Sequence, residues 1–236
     1  MEVNKIGILA ISIFLIITGC APSFSEFQGA DVVGKGNIEV TPYTSETNAE
    51  EASDDAMSGT LQDSKGFRLS YGLNEKLDVQ MEYETIEGQG GYVDGSIMSV
   101  GMKYILYSND KLRFSGCLPL SKAKRSMNQI DLFGEGESES VEQEFTLIEP
   151  TILASYKVLD FVDINVSAKI LKKIDGDDIG TDEHGYAFNL SGSLSLSKFV
   201  SIPNINLTVI PEYGVLDVDG DKFNHFGIGL AIKYIR

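Results

Sequence analysis

The chain has 236 residues, with 35 acidic against 19 basic side chains and a net charge of −16. That length suits one ordinary domain, and no shift in composition after residue 66 marks a second. The acidic balance and the lack of a basic stripe exclude a nucleic-acid partner, because phosphate neutralisation needs clustered Lys and Arg.

Lys5 precedes an apolar run from Ile6 to Ile17, followed by Thr18-Gly19-Cys20. The run is short for a bilayer span and reads as the apolar core of an export signal, a retained short anchor being the alternative. Ile17-Thr18-Gly19-Cys20 resembles the lipobox of bacterial lipoproteins, a likeness that covers about the first 20 residues. It implies a signal peptide over residues 1–19, cleavage before Cys20, acyl chains on that cysteine and a lipidated tether over residues 20–36. Ala21, rather than Asp, after the cysteine implies delivery to the outer membrane. Covalent lipid on Cys20 is the expected attached group, and no other cofactor is expected beyond weakly bound Ca²⁺. Cys117 is then a lone thiol with no activating base nearby in sequence, so it reads as a buried or lumen-facing small residue rather than a nucleophile.

From Asn37 onward the signal is alternation with period two. It predicts strands at about 37–45, 66–73, 76–85, 96–107, 111–118, 144–157, 162–173, 185–197, 204–216 and 224–235. The last is the clearest: Phe226, Ile228, Leu230, Ile232 and Tyr234 share one face, and Gly227, Gly229, Ala231 and Lys233 the other. Many of these runs have the 9 to 11 residues that a tilted strand needs to cross a bilayer. Pro42, Pro150 and Pro211 fall inside predicted strands, where a missing N–H calls for a bulge or a strand end.

The second face decides between a soluble sandwich and a membrane barrel. It mixes Ser, Gly, Asn and Thr with spaced ions of both signs, the composition of a narrow, wet lumen. The candidate lumen network is Glu39, Arg68, Glu82, Lys103, Arg113, Glu149, Lys169, Glu212 and Lys233, with Asp78 and Asp163 on the same face. Either the carboxylates line a narrow conduit or they pair with the cations as a plug; the small barrel size favours the plug.

The connections alternate in length, short after the even strands and mostly longer after the odd ones. This resembles the class of small outer-membrane barrels of the OmpA, OmpX and OmpW kind, over about residues 37–236. The expectation is an all-β, antiparallel, up-and-down transmembrane β-barrel of about 10 strands, 8 to 12 being possible, with long acidic outer loops. An even strand count puts both chain ends on the turn side, so a lipid on Cys20 is expected in the periplasmic leaflet. The resemblance implies outer-membrane lipid and lipopolysaccharide as surroundings, and the barrel-insertion and lipoprotein-sorting machineries as partners. A departure is the ending Tyr234-Ile235-Arg236, where many such barrels end on an aromatic residue.

Chemistry is sparse. The outer loops are acidic, and Asp177, Asp178, Asp217, Asp219 and Asp221 are candidate weak Ca²⁺ ligands, although their spacing does not match an EF-hand and a solvated acidic rim is the plainer reading. His184 and His225 lie near the outer ends of neighbouring strands, the level at which omptin-type proteases place theirs, but no matching motif accompanies them. The expected role is structural or surface-interacting with at most a narrow pore. The alternatives are a small-solute channel, an omptin-like protease or lipid A deacylase, and a soluble, lipid-tethered, lipocalin-like binding protein.

Overall fold

The computed structural model describes residues 25–49, 60–88, 93–128, 140–176, 184–218 and 221–236. The strands are β1 (Ile38–Ala49), β2 (Thr60–Asn74), β3 (Leu77–Gly88), β4 (Val93–Ser108), β5 (Leu112–Asn128), β6 (Ser140–Ile148), β7 (Thr151–Leu159), β8 (Val162–Gly176), β9 (His184–Ser195), β10 (Ile205–Val218) and β11 (Asp221–Tyr234). Each is antiparallel to its neighbours, and β1 closes on β11 from the pair Ile38–Tyr234 to the pair Ala49–Phe223. Segments β6 and β7 both pair with β5 on one side and β8 on the other, so they are two halves of one barrel position. The result is a closed antiparallel barrel of 10 strands, an arrangement with no unpaired edge to desolvate.

Proline acts at the three predicted places, but not by bulging. Pro150 lies in the gap that divides β6 from β7. At Pro42 the β1–β11 ladder skips from the pair Val40–Ile232 to the pair Tyr43–Gly229 without a change of register. At Pro211 the β10–β9 ladder skips from Val209–Leu194 to Glu212–Ser191, again in register. Each ring removes a donor on one side only, and a locally open ladder accommodates that at less cost than an extra residue.

The faces have the sense expected of a barrel in hydrocarbon. Phe226, Ile228, Leu230 and Tyr234 point outward at 61, 48, 37 and 48% exposure. The interior between them is polar, with Ser115, Ser121, Ser155, Asn165 and Ser167 buried. That sense overturns the lipocalin-like alternative, in which the apolar face would line the inside. Exposed aromatics form two levels: Tyr71, Tyr104, Tyr156 and Tyr234 toward the turns, and Phe67, Tyr83, Tyr213 and Phe226 toward the loops. Such girdles belong at the two lipid–water interfaces.

The strands run beyond the predicted ends on the loop side. Pro119 to Gln143 reads as a loop in sequence, yet β5 continues to Asn128 and β6 begins at Ser140. Above the outer girdle both faces of a strand are wet or salt-linked, so the polar outward residues Lys122, Lys124 and Glu144 hide the alternation that Ser121 and Ala123 continue inside. Lys122 Nζ lies 2.6 Å from the Glu144 carboxylate, which Lys124 also contacts. Hydrogen bonds from these two ammonium groups hold the Glu144 carboxyl down to about 2.

Candidate functional site in the barrel lumen

The site is built where the sequence offers no periodicity. Residues 25–36 form no strand; they climb the inside of the barrel and leave Phe27 and Ala30 fully buried. Gly34 and Gly36, both at positive φ, turn the chain from this segment into β1. There the Gly36 N–H donates to the Gly72 carbonyl and the Gly72 N–H to the Asn37 carbonyl, while the Arg236 N–H reaches Asn37 Oδ1 at 3.1 Å. Both ends of the barrel wall therefore lie on the turn side.

An irregular chain inside a membrane barrel must have its backbone groups satisfied by the wall. The Val33 N–H donates to Asp78 at 2.8 Å, and the Ala30 N–H to Ser155 Oγ at 2.7 Å. Ser115 donates to the Ala30 carbonyl. The N–H groups of Glu26 and Phe27 donate to the two carboxylate oxygens of Glu212 at 2.7 and 2.8 Å. Arg68 donates to the Glu26 carbonyl. These partners come from β2, β3, β5, β7 and β10, so the segment is held from around the circumference.

Its side chains complete the electrostatics. Lys169 lies 2.8 Å from Glu26 and 3.1 Å from Glu149. Arg68 lies 2.9 Å from Glu82 and 4.0 Å from the Glu26 carboxylate. Lower down, Arg113 bridges Asp31 at 2.9 Å and Asp163 at 3.1 Å. Lys103 donates to Gln28 Oε1 at 3.1 Å, and Gln80 to the same oxygen at 2.9 Å. Buried charges are tolerable when paired and hydrogen-bonded, and here the N-terminal segment supplies the missing partners.

Phe27 is the apolar anchor. Its ring stacks on Tyr43 with centroids 4.7 Å apart and meets the edge of His225 at 6.4 Å. The glycines of β11 make the seat: a Cβ on Gly227 would lie 2.5 Å from Phe27 Cζ, and one on Gly229 3.2 Å from Phe27 Cβ. Above this layer Leu147, Leu171, Ala187, Leu216 and Phe223 form a buried apolar cluster along the wall of β6 and β8 to β11. Beside Glu26 and Gln28 there remains a cavity of about 20 Å³, room for one water molecule.

No family model matches the sequence, and no curated protein matches it either. Among solved structures, the β domain of the Bordetella autotransporter BrkA is similar at 7% identity and a TM-score of 0.53, over 84% of this chain and 98% of that one. The fold is that of an outer-membrane β-barrel. The N-terminal barrel domain of OprF from Pseudomonas aeruginosa is similar at 11% identity and a TM-score of 0.42, covering 85% of this chain and 99% of that one. Ail, the attachment invasion locus protein of Yersinia pestis, is similar at 10% identity and a TM-score of 0.39, with 85% and 99% covered. At these identities the likeness is one of fold.

Within this outer-membrane-type barrel the predicted lumen residues separate into groups. Arg68 with Glu82 and Lys169 with Glu149 come together as charge pairs. Glu39 and Lys233 are direct register partners near the turn side, and Asp78 is paired in register with Lys103. Among the described residues Glu212 meets no Lys or Arg at close range; it accepts from two backbone N–H groups and contacts His225 at 3.1 Å. His225 is thus an interior residue, not a rim residue as its place in the sequence suggests, because β11 continues four residues beyond it to Asp221. His184 is exposed at the start of β9, opposite Lys172.

Asp177, Asp178 and Asp219, like Cys20, lie outside the described residues. Asp217 and Asp221 fall on β10 and β11, on strands rather than in a loop. Cys117 is buried with Sγ 3.9 Å from Gln80 Oε1. Sequence reasoning missed Glu26, Phe27, Gln28 and Asp31, since residues 20–36 read as an external tether. The lumen charges gave no signal of them, since the carboxylates predicted on that face already sufficed for its cations.

Proposed function

We propose that the chain is an outer-membrane lipoprotein whose barrel is closed by its own N-terminal segment, with a structural or surface-interaction role rather than conduction. The observation that carries this reading is the junction of Glu26 with Lys169 and Arg68, a salt-linked crossing of the lumen held from β2 and β8. A conduit needs a continuous wet path, whereas residues 25–33 run through the lumen bonded to strands around its circumference, below a wall cluster of Leu171, Leu216 and Phe223. The outward girdles support contact with phospholipid and lipopolysaccharide, and the lipobox-like Cys20 supports acylation after export. Assembly then draws on the barrel-insertion and lipoprotein-sorting machineries.

Single-channel recording in planar bilayers tests it. The full chain gives no reproducible conductance steps, while a variant lacking residues 25–33 gives them. Equal steps from both would defeat the plug.

A further inference from the structure

The direction of the lumen segment sets which side of the membrane its leading end reaches. Asn37 sits at the turn-side rim beside Arg236, and the chain rises from there toward lower residue numbers. Val33 is bonded to Asp78, one residue into β3 from the turn; Asp31 is bonded to Arg113, one residue into β5. Glu26 and Phe27 then meet Glu212, which is paired with Gly227. Gly227 lies seven residues up β11 from Tyr234. At about 3.3 Å per residue and a tilt of about 40°, Phe27 stands ~18 Å above the turn-side end. Phe226 and Tyr213, an exposed register pair of the outer girdle, flank that level.

Cys20 is five residues before Ser25, a reach of at most about 17 Å. To return to the periplasmic side those residues would have to descend at least their full reach, alongside residues 27–33 that already run through that part of the lumen. Toward the loop side β11 rises six residues beyond Gly227, to Asp221, about 15 Å and within the reach of those residues. We infer that the chain threads its own barrel, so that acyl chains on Cys20 enter the outer leaflet and the lipidated end faces the cell exterior. This reverses the leaflet that strand parity alone suggests, and it rests on the lipoprotein reading proposed above. Strand parity locates residue 37; the lumen segment moves the end across the membrane.

The test uses the full-length chain in a Cys117→Ser background. Ser23→Cys is labelled by a membrane-impermeant maleimide in intact cells to the same extent as after outer-membrane permeabilisation. Lys35→Cys, exposed at the turn-side rim, is labelled only after permeabilisation. An epitope inserted between Ser23 and Phe24 provides a second probe should the thiol be shielded, and antibody binds it on intact cells. Label and antibody that both require permeabilisation would overturn the threading. Labelled palmitate is scored separately: its incorporation by the parent and loss in Cys20→Ala supports the lipid, and its absence from the parent sinks the surface lipid even where the chain end is exposed.

Discussion

Glu26 and Lys169 meet at 2.8 Å in a part of the lumen where both side chains are about 95% buried, one carried in by the N-terminal segment and the other by β8. Neither charge would be tolerable there alone. Lys169→Met leaves the carboxylates of Glu26 and Glu149 without their shared ammonium, and removing one partner of a buried pair costs about 3–5 kcal/mol. The urea midpoint of the barrel refolded in lipid vesicles should fall accordingly. Combining Lys169→Met with Glu26→Gln should restore part of the loss, since coupled neighbours are non-additive. Strictly additive losses would mean that the two groups do not share an interaction.

The seat of Phe27 gives a different kind of variant. Gly229→Val places a side chain where Phe27 Cβ lies 3.2 Å and Phe27 Cδ1 3.3 Å from the would-be Cβ. The wall offers only the Thr41 methyl at 3.3 Å and no backbone atom, so the segment rather than the barrel should yield. The outcome is an intact barrel by circular dichroism with Lys35 newly cut by trypsin and with conductance steps in planar bilayers. Phe27→Ala, which loses the stack on Tyr43, should act in the same direction at a cost of about 3–5 kcal/mol.

The outward face can be challenged directly. Leu230 lies on the lipid-facing row of β11 between the two girdles. Leu230→Arg should destabilise the vesicle-inserted barrel by about 2–4 kcal/mol, the cost of a cation near the bilayer midplane. The same change at Thr85, the outward-facing residue two beyond the girdle residue Tyr83 on the loop side of β3, should be close to neutral. Equal effects at both positions would contradict the assigned membrane level.

Glu144 offers a pH test outside the membrane-spanning region. Its carboxyl is held down to about 2 by hydrogen bonds from Lys122 and Lys124. A depressed carboxylate contributes stability at pH values above its unfolded value, and that contribution is lost as pH falls through the folded one. The window therefore runs from about 4.5 down to about 2. Side-chain NMR of Glu144 should show it still ionised at pH 3, and the double variant Lys122→Ala, Lys124→Ala should bring its midpoint back toward the ordinary carboxylate range.

By itself the sequence determined the wall. Alternation in runs such as Phe226 to Tyr234 is a local property with a period of two, so it announces both the strand and the face that meets lipid. The parity of short turns likewise placed Asn37 and Arg236 on one side. Strand ends on the loop side were harder to read, because Lys122, Lys124 and Glu144 meet water there and the apolar half of the pattern disappears. What only the tertiary structure decided is the interior. Residues 25–36 have no periodicity because no regular ladder holds them; their N–H and C=O groups are satisfied one at a time by Glu212, Ser155, Asp78, Arg68 and Ser115. Those partners are scattered from residue 68 to residue 212 and become neighbours only when the barrel closes around the segment.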